Sequence, residues 1–123
     1  MKPVISIYIP ALRPNLWLRL YESLLGNKVS FEIIFVGHVP PSYKLPQEMR
    51  YIYSPVKPAQ CAEIGLRNCR GEYCIFIPDD VIFAEKSLDI LYEEVSSYND
   101  NVLVSSIPYL DGERLDFSYY NFW

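Results

Sequence analysis

The stretch from Ile64 to Val81 constrains the fold of this chain most strongly. It contains, in order, the end of a helix, a glycine stop at Gly71, an apolar strand from Tyr73 to Ile77, and the adjacent acids Asp79 and Asp80. A continuous apolar strand is typical of a parallel sheet that helices cover on both faces. Such sheets bind ligands beyond the carboxyl ends of their strands, so the two acids are candidate site residues.

The rest of the chain repeats this alternation of apolar strands and amphipathic helices. The predicted strands are Val4 to Ile9, Phe31 to Val36, Tyr51 to Tyr53, Tyr73 to Ile77 and Val102 to Ile107. The predicted helices run from Pro14 to the stop at Gly26-Asn27, from Pro58 to about Cys69, and from Ser87 to Tyr98. The pattern predicts an α/β three-layer sandwich with a mainly parallel, Rossmann-like sheet flanked by helices.

Charge and length exclude several classes of function. A chain of 123 residues with a net charge of −4 is the size of one domain and lacks the clustered Lys and Arg of a nucleic-acid-binding face. The first apolar run is broken by Pro3 and Pro10, which is too short for a signal peptide or a membrane span. We therefore expect a cytoplasmic protein with no membrane span and no nucleic-acid partner.

The three cysteines, Cys61, Cys69 and Cys74, are odd in number and form no Cys-x-x-Cys pair. This spacing argues against a disulfide framework and against a zinc knuckle. We expect reduced, buried thiols.

Residues 111–123 differ from the rest of the chain, because aromatic side chains crowd the last seven positions. An aromatic segment left in water would be an exposed apolar patch. Three alternatives stay open: the tail packs back on the sheet, associates with another copy or a partner domain, or begins a missing half.

In order and spacing, these motifs resemble the N-terminal half of family 2 glycosyltransferases of the GT-A fold. The resemblance covers about Val4 to Val95 and is carried by four pieces of sequence: Ile9-Pro10, Ile64-Gly65-Leu66, Arg70-Gly71-Glu72-Tyr73 and Phe76-Ile77-Pro78-Asp79-Asp80-Val81. It implies that residues 1–110 form a truncated GT-A-like domain that binds a nucleotide-diphosphate sugar.

The resemblance also implies roles for single residues. Asp79 is expected to accept hydrogen bonds from the ribose, and Asp80 to bind Mg²⁺ or Mn²⁺, since hard cations prefer carboxylate oxygens. The other expected nucleotide-binding residues are Pro10, Ala11, Leu12, Arg13, His38 and Lys57. The alternative is that the two acids are solvated in a strand-to-helix turn, or cap the next helix.

The sequence departs from the family pattern at three places. Pro78 stands where relatives carry the first acid of the cluster, the second strand ends in Val36-Gly37-His38 instead of Asp, and Ala62-Glu63 replaces an Arg-Asn pair. These departures favour a second hypothesis, in which the chain is a non-catalytic binding or scaffold module that self-associates through its tail.

The expected activity is transfer of the sugar to an unknown acceptor. Inverting transfer needs a carboxylate that takes a proton from the acceptor hydroxyl. Asp111, Glu113 and Asp116 are the acids near the end of the chain, and Asp111-Gly112 is typical of a turn. We assign no general base, so the catalytic residues are unknown.

Overall fold

A computed structural model describes residues 2–98, 109–110 and 112–114 of the chain. The chain divides into two compact units, Met1–Asp89 and Ile90–Trp123. The first unit contains four strands and two complete α-helices: β1 Ile5–Pro10, α1 Trp17–Leu24, β2 Phe31–Gly37, β3 Met49–Tyr53, α2 Pro58–Arg67 and β4 Tyr73–Phe76. A 3₁₀ turn, Pro14–Leu16, precedes α1, and helix α3, Ser87–Ser96, crosses from the first unit into the second.

The four strands form one parallel sheet in the order β3-β2-β1-β4. Ile7 on β1 is aligned with Ile33 on β2 and with Ile75 on β4, so these residues share one face of the sheet. The α/β fold with a mainly parallel sheet is therefore confirmed. Every strand and helix predicted before residue 98 is present, with ends that differ by at most three residues.

Helices cover both faces of the sheet. Trp17 of α1 is fully buried and stacks on Phe35 of β2, with 4.0 Å between the ring centroids. The neighbouring residues Ile34 and Val36 point to the opposite face, where they pack with Cys61 of α2. The two helices thus enclose β2 between them, which explains why its sequence is apolar throughout.

Helix α2 lies unusually close to β1 at Gly65. A Cβ atom at this position would lie 2.9 Å from the Cβ of Tyr8. The glycine therefore sets how near the helix comes to the sheet, and with it the position of the first turn of α2.

A buried carboxylate joins three strands and a loop near the amino ends of β1 and β2. Glu32 accepts a 2.6 Å hydrogen bond from the Ser6 hydroxyl and pairs with Arg50 of β3 at 3.1 Å. Its Oε2 also accepts the backbone N–H of Arg70 at 2.8 Å. The short third strand begins two residues earlier than predicted, and Arg50 lies in this added part.

The second unit contains the rest of α3 and an antiparallel pair, β5 Tyr109–Leu110 and β6 Glu113–Arg114. Gly112, in the turn between these strands, has φ +84°, a conformation that favours glycine. This hairpin was not predicted, although the turn at Gly112 was. The predicted strand Val102 to Ile107, the acid Asp116 and the aromatic tail lie outside the described residues.

Candidate functional site

A cavity of about 280 Å³ lies at the carboxyl ends of β1 and β2, beside the first turn of α2. Three segments build it: the loop after β1, the end of β2, and the residues that lead into α2. Its lining residues are Pro10, Ala11, Leu12, Arg13, Val36, Gly37, His38, Val56, Pro58, Cys61 and Asp79. The cavity thus lies where open parallel sheets place their ligands.

The back of the cavity is formed by backbone that packs too closely for a side chain at position 37. A Cβ atom on Gly37 would lie 2.0 Å from the carbonyl oxygen of Ala11. The backbone N–H of Ala11 donates to Val36 at 2.8 Å, and that of Ser54 donates to Gly37 at 2.8 Å. An acid at position 37 would therefore require this backbone to shift.

Asp79 fixes the loop after β1. Its carboxylate is buried, with 1% of the residue exposed, and it accepts four hydrogen bonds. The donors are the backbone N–H groups of Leu12 (2.9 Å) and Arg13 (2.7 Å), Nε of Arg13 (2.9 Å) and Nε1 of Trp17 (3.4 Å). Nη2 of Arg13 adds an ion pair at 2.7 Å. Both carboxylate oxygens are therefore already engaged within the protein.

These donors also decide the ionisation of Asp79. Burial on its own would raise the pKa of this carboxyl group, because it penalises the charged form. Hydrogen bonds from the backbone of Arg13 and Leu12, and from the side chains of Trp17 and Arg13, outweigh burial and lower the pKa below its usual range. Asp79 is therefore ionised at neutral pH, and its negative charge is stabilised by the N–H groups of the loop after β1.

Asp80 has a different environment from its neighbour. Its side chain is 49% exposed and contacts Nη1 of Arg13 at 3.4 Å. Helix α3 begins at Ser87, and the acid in its first turn is Asp89, so the alternative that Asp79 or Asp80 caps the next helix is wrong. The two adjacent acids thus divide into a buried anchor and an exposed carboxylate.

The surroundings of Asp80 supply few side-chain ligands for a magnesium or manganese ion. No group of three or more His, Cys, Asp or Glu side chains with metal-binding geometry occurs in the described part of the chain. Magnesium, however, keeps several waters and binds through one or two carboxylates together with substrate phosphates. Asp80 is therefore suited to an ion that arrives with a diphosphate, not to a preformed metal cage.

The start of α2 brings further polar groups near the cavity. Lys57 is the N-cap residue of α2, and its N–H donates to Oε1 of Gln60 at 3.2 Å. Lys57 itself does not line the cavity, but its neighbours Val56 and Pro58 do. A helix N-terminus carries partial positive charge and favours anions, so this end of the cavity is suited to a negatively charged group.

The structure brings together six of the eight residues predicted for the site. Pro10, Ala11, Leu12, Arg13, His38 and Asp79 line the cavity, whereas Lys57 lies next to it and Asp80 lies outside its wall. His38 is exposed at the end of β2.

Three of the contributors that sequence reasoning missed are Gly37, Cys61 and Trp17. Gly37 and Cys61 line the cavity, and Trp17 donates to Asp79. A glycine at a strand end was a usable signal for close backbone approach. Nothing in the local sequence pointed to the other two.

A second cavity, of about 500 Å³, lies at the amino ends of the strands. This second cavity is the larger of the two, but the charged groups Glu32 and Arg50 in its wall are already paired with each other. The smaller cavity combines a mostly apolar wall with an exposed carboxylate nearby, and it lies at the ligand-binding edge of the sheet. We therefore take the smaller cavity as the candidate site.

One solved structure with a similar fold is that of S. aureus TarS 1–349, a glycosyltransferase. It matches this chain with a TM-score of 0.57 and 17% sequence identity, over 79% of this chain and 33% of that chain. This chain thus spans about one third of the TarS chain. At this identity the similarity establishes a shared α/β, Rossmann-like fold.

No protein-family model and no curated protein matches the chain. Within the described residues, no helix has both the length and the apolar character needed to cross a membrane.

Proposed function

We propose that this chain is a glycosyltransferase-like domain that binds a nucleotide-diphosphate sugar in the cavity at the carboxyl ends of β1 and β2. The observation that carries the proposal is the convergence of Pro10, Ala11, Leu12, Arg13, His38 and Asp79 on one cavity. The segments that carry these residues are far apart in the chain, with 67 positions between Leu12 and Asp79. They nevertheless meet at the edge where parallel sheets bind ligands.

The nucleoside would lie against the apolar part of the cavity. Ala11, Val36 and Cys61 are buried there, and Leu12 and Val56 form an exposed apolar rim. Small-molecule sites combine such apolar walls with a few polar groups that fix orientation. His38 and the backbone after β1 supply the polar groups at this end.

Asp79 contributes to nucleotide binding chiefly by fixing the loop. Its two oxygens already accept hydrogen bonds from Leu12, Arg13 and Trp17. A ribose hydroxyl would have to displace one of these donors, and the 3.4 Å contact with Trp17 is the longest of them. The proposed ribose contact therefore depends on a shift of that side chain.

The charge balance favours a divalent cation at Asp80. Arg13 pairs with Asp79 at 2.7 Å and with Asp80 at 3.4 Å, so one guanidinium faces two carboxylates and a net negative charge remains at the exposed Asp80. A bound Mg²⁺ or Mn²⁺ would supply charge stabilisation for the departing nucleoside diphosphate. Lys57 and the first turn of α2 would add positive potential at the end of the cavity that Val56 and Pro58 line.

The acceptor and the general base are not part of this proposal. Inverting sugar transfer requires a carboxylate near the acceptor hydroxyl. Of Asp111, Glu113 and Asp116, Glu113 is the acid that the structure describes, and it is assigned no role.

Thermal unfolding with UDP, GDP, TDP and CMP, each with and without Mn²⁺, tests the proposal. A ligand present at a hundred times its dissociation constant stabilises the native state by about 2.7 kcal/mol. We expect a rise in unfolding temperature for at least one nucleotide with Mn²⁺. Asp80→Asn should remove the part of the response that depends on metal, while lowering the unfolding temperature without ligand only slightly.

A non-catalytic module of the same fold is the second candidate. This candidate is favoured because both oxygens of Asp79 already accept hydrogen bonds from the protein, as expected of a carboxylate that only stabilises the fold. Such a module would show no response to any of the four nucleotides. Truncation of Phe122 and Trp123 would then change its oligomeric state in sedimentation analysis, and an unchanged state would contradict self-association through the tail.

A further inference from the structure

Two of the three thiols meet at the corner between α2 and β4. Cys69 follows the last turn of α2, and Cys74 is the second residue of β4. Cys74 is aligned with Ser6 on β1, and neighbouring strands in register point aligned side chains to the same face. The backbone N–H groups of Arg70 and Gly71 donate to the Ser6 hydroxyl at 3.1 and 2.8 Å. This pair of bonds fixes the corner against Ser6 and brings the Cys69 side chain to the Cys74 side chain.

Ser6 relates the two thiols in space, because Cys74 is its partner on the neighbouring strand and the residue after Cys69 donates to its hydroxyl. Cys74 is also one of the neighbours that raise the pKa of the Cys69 thiol. The Cys69 thiol also donates to the carbonyl oxygen of Gly65 at 3.4 Å, which holds it at the end of α2. Tyr8 is two residues after Ser6 on β1, so the two side chains share one face of the sheet. Burial raises the pKa of the Tyr8 hydroxyl group, and both thiols raise it further.

The three cysteines differ in access to solvent. Cys74 is exposed, Cys69 is half-buried, and Cys61 is buried in the wall of the cavity. The expectation of three buried thiols is therefore wrong for Cys74, which lies on the outer strand of the sheet in the order β3-β2-β1-β4. An oxidant in solution would meet Cys74 first and Cys61 last.

We propose that Cys69 and Cys74 form an oxidative modification site, at which a hydroperoxide converts the two thiols into an intramolecular disulfide. In the first step the Cys74 sulfur attacks the peroxide. An S–O bond forms, the O–O bond breaks, and the displaced oxygen leaves as water or an alcohol with the thiol proton, giving a sulfenic acid. In the second step the Cys69 sulfur attacks Cys74, the S–S bond forms, the S–O bond breaks, and water leaves with the second thiol proton.

The second step depends on pH. Burial, followed by the nearby Cys74 thiol, raises the pKa of the Cys69 thiol to about 12. Since the thiolate is the attacking species, only a small fraction of Cys69 is reactive at neutral pH. Disulfide closure should therefore become faster with rising pH throughout the range below this pKa.

The test is peptide mapping of the intact chain after treatment with hydrogen peroxide and capping of the remaining thiols. Trypsin cleaves after Arg70, so the proposed disulfide joins two separate peptides and lowers their summed mass by two hydrogens. We expect this cross-link, with Cys61 recovered as a free, capped thiol. The variant Cys69→Ser should stop at the Cys74 sulfenic acid, which a dimedone-type reagent captures, and Cys74→Ser should leave Cys69 reduced.

Three results would overturn the proposal. They are recovery of all three cysteines as free thiols, a disulfide that contains Cys61, and a disulfide between two copies of the chain with Cys69 still reduced. Circular dichroism of both serine variants checks that they are folded. If either is not, the wild-type peptide map alone still decides between these results, because the site of cross-linking is read directly.

Discussion

Replacement of Asp79 tests whether this residue acts as the anchor of the candidate site. Its carboxylate accepts four hydrogen bonds from Leu12, Arg13 and Trp17 and is almost wholly buried. Asp80, the next residue, has a half-exposed side chain with one contact at 3.4 Å. The two adjacent acids therefore form a matched pair, in which the same substitution is made in a buried and in an exposed environment.

The expected cost follows from the partners that lose their acceptor. Removing one partner of a buried ion pair costs about 3–5 kcal/mol. The Arg13 side chain is 50% exposed and regains water, so Asp79→Ala belongs at the lower end of that range. In Asp79→Asn the amide oxygen still accepts N–H groups, which lowers the expected cost to about 2–3 kcal/mol. For Asp80→Asn the exposed contact predicts a change below about 1 kcal/mol.

Urea unfolding at pH 7, followed by far-ultraviolet circular dichroism, measures these differences. With a denaturant slope of roughly 1–3 kcal/mol per molar urea, a loss of 3 kcal/mol moves the midpoint by roughly 1–3 M. We expect the order of stability to be wild type, then Asp80→Asn, then Asp79→Asn, then Asp79→Ala. Equal midpoints for the two asparagine variants would refute the assignment of Asp79 as the anchor.

Two further predictions concern acid stability and the close backbone approach behind the cavity. Folding lowers the pKa of two carboxyl groups. The pKa of Asp79 is lowered because its hydrogen bonds outweigh its burial, and that of Asp89 is lowered because the N–H groups of Lys28 and Val29 donate to it. A lowered folded pKa contributes stability above the unfolded value of about 4, which is lost as the pH falls through the folded value; urea midpoints should therefore fall below pH 4, with a smaller fall in Asp79→Asn. Gly37→Ala should destabilise the protein by about 1–3 kcal/mol or more in the same assay, because its Cβ would meet a carbonyl oxygen at 2.0 Å. Gly26→Ala is the control, since nothing lies within 4 Å of its Cβ, and equal effects of the two substitutions would contradict the steric argument.

The local sequence was sufficient to predict the elements that carry the fold. Apolar, β-branched runs at β1 and β2 are typical of strands buried on both faces, and the structure places them at the centre of the sheet. Gly71 predicted the boundary between α2 and β4, which lies a few residues after the end of the helix. The early start of β3 was missed, because its first residues are fixed by the ion pair between Arg50 and Glu32 and not by strand propensity.

The sequence was sufficient to predict where the site lies, but not which contacts its residues make. The ends of β1 and β2 identified the loop residues and His38, since strand ends share one edge of a parallel sheet. The roles of Asp79 and Asp80 depend on contacts with Arg13, 66 and 67 residues earlier in the chain, and no local pattern encodes them. The space behind Gly37 is likewise set by packing between two chain segments.

Nuclear magnetic resonance mapping of nucleotide binding tests the central claim most directly. Backbone ¹H–¹⁵N spectra of the chain would be recorded during titration with each nucleoside diphosphate in the presence of Mg²⁺. The account predicts that shift changes concentrate at Ala11, Gly37, His38 and Val56, around the cavity at the carboxyl ends of β1 and β2. Changes centred on Ser30 at the opposite edge of the sheet, or no changes with any nucleotide, would contradict it.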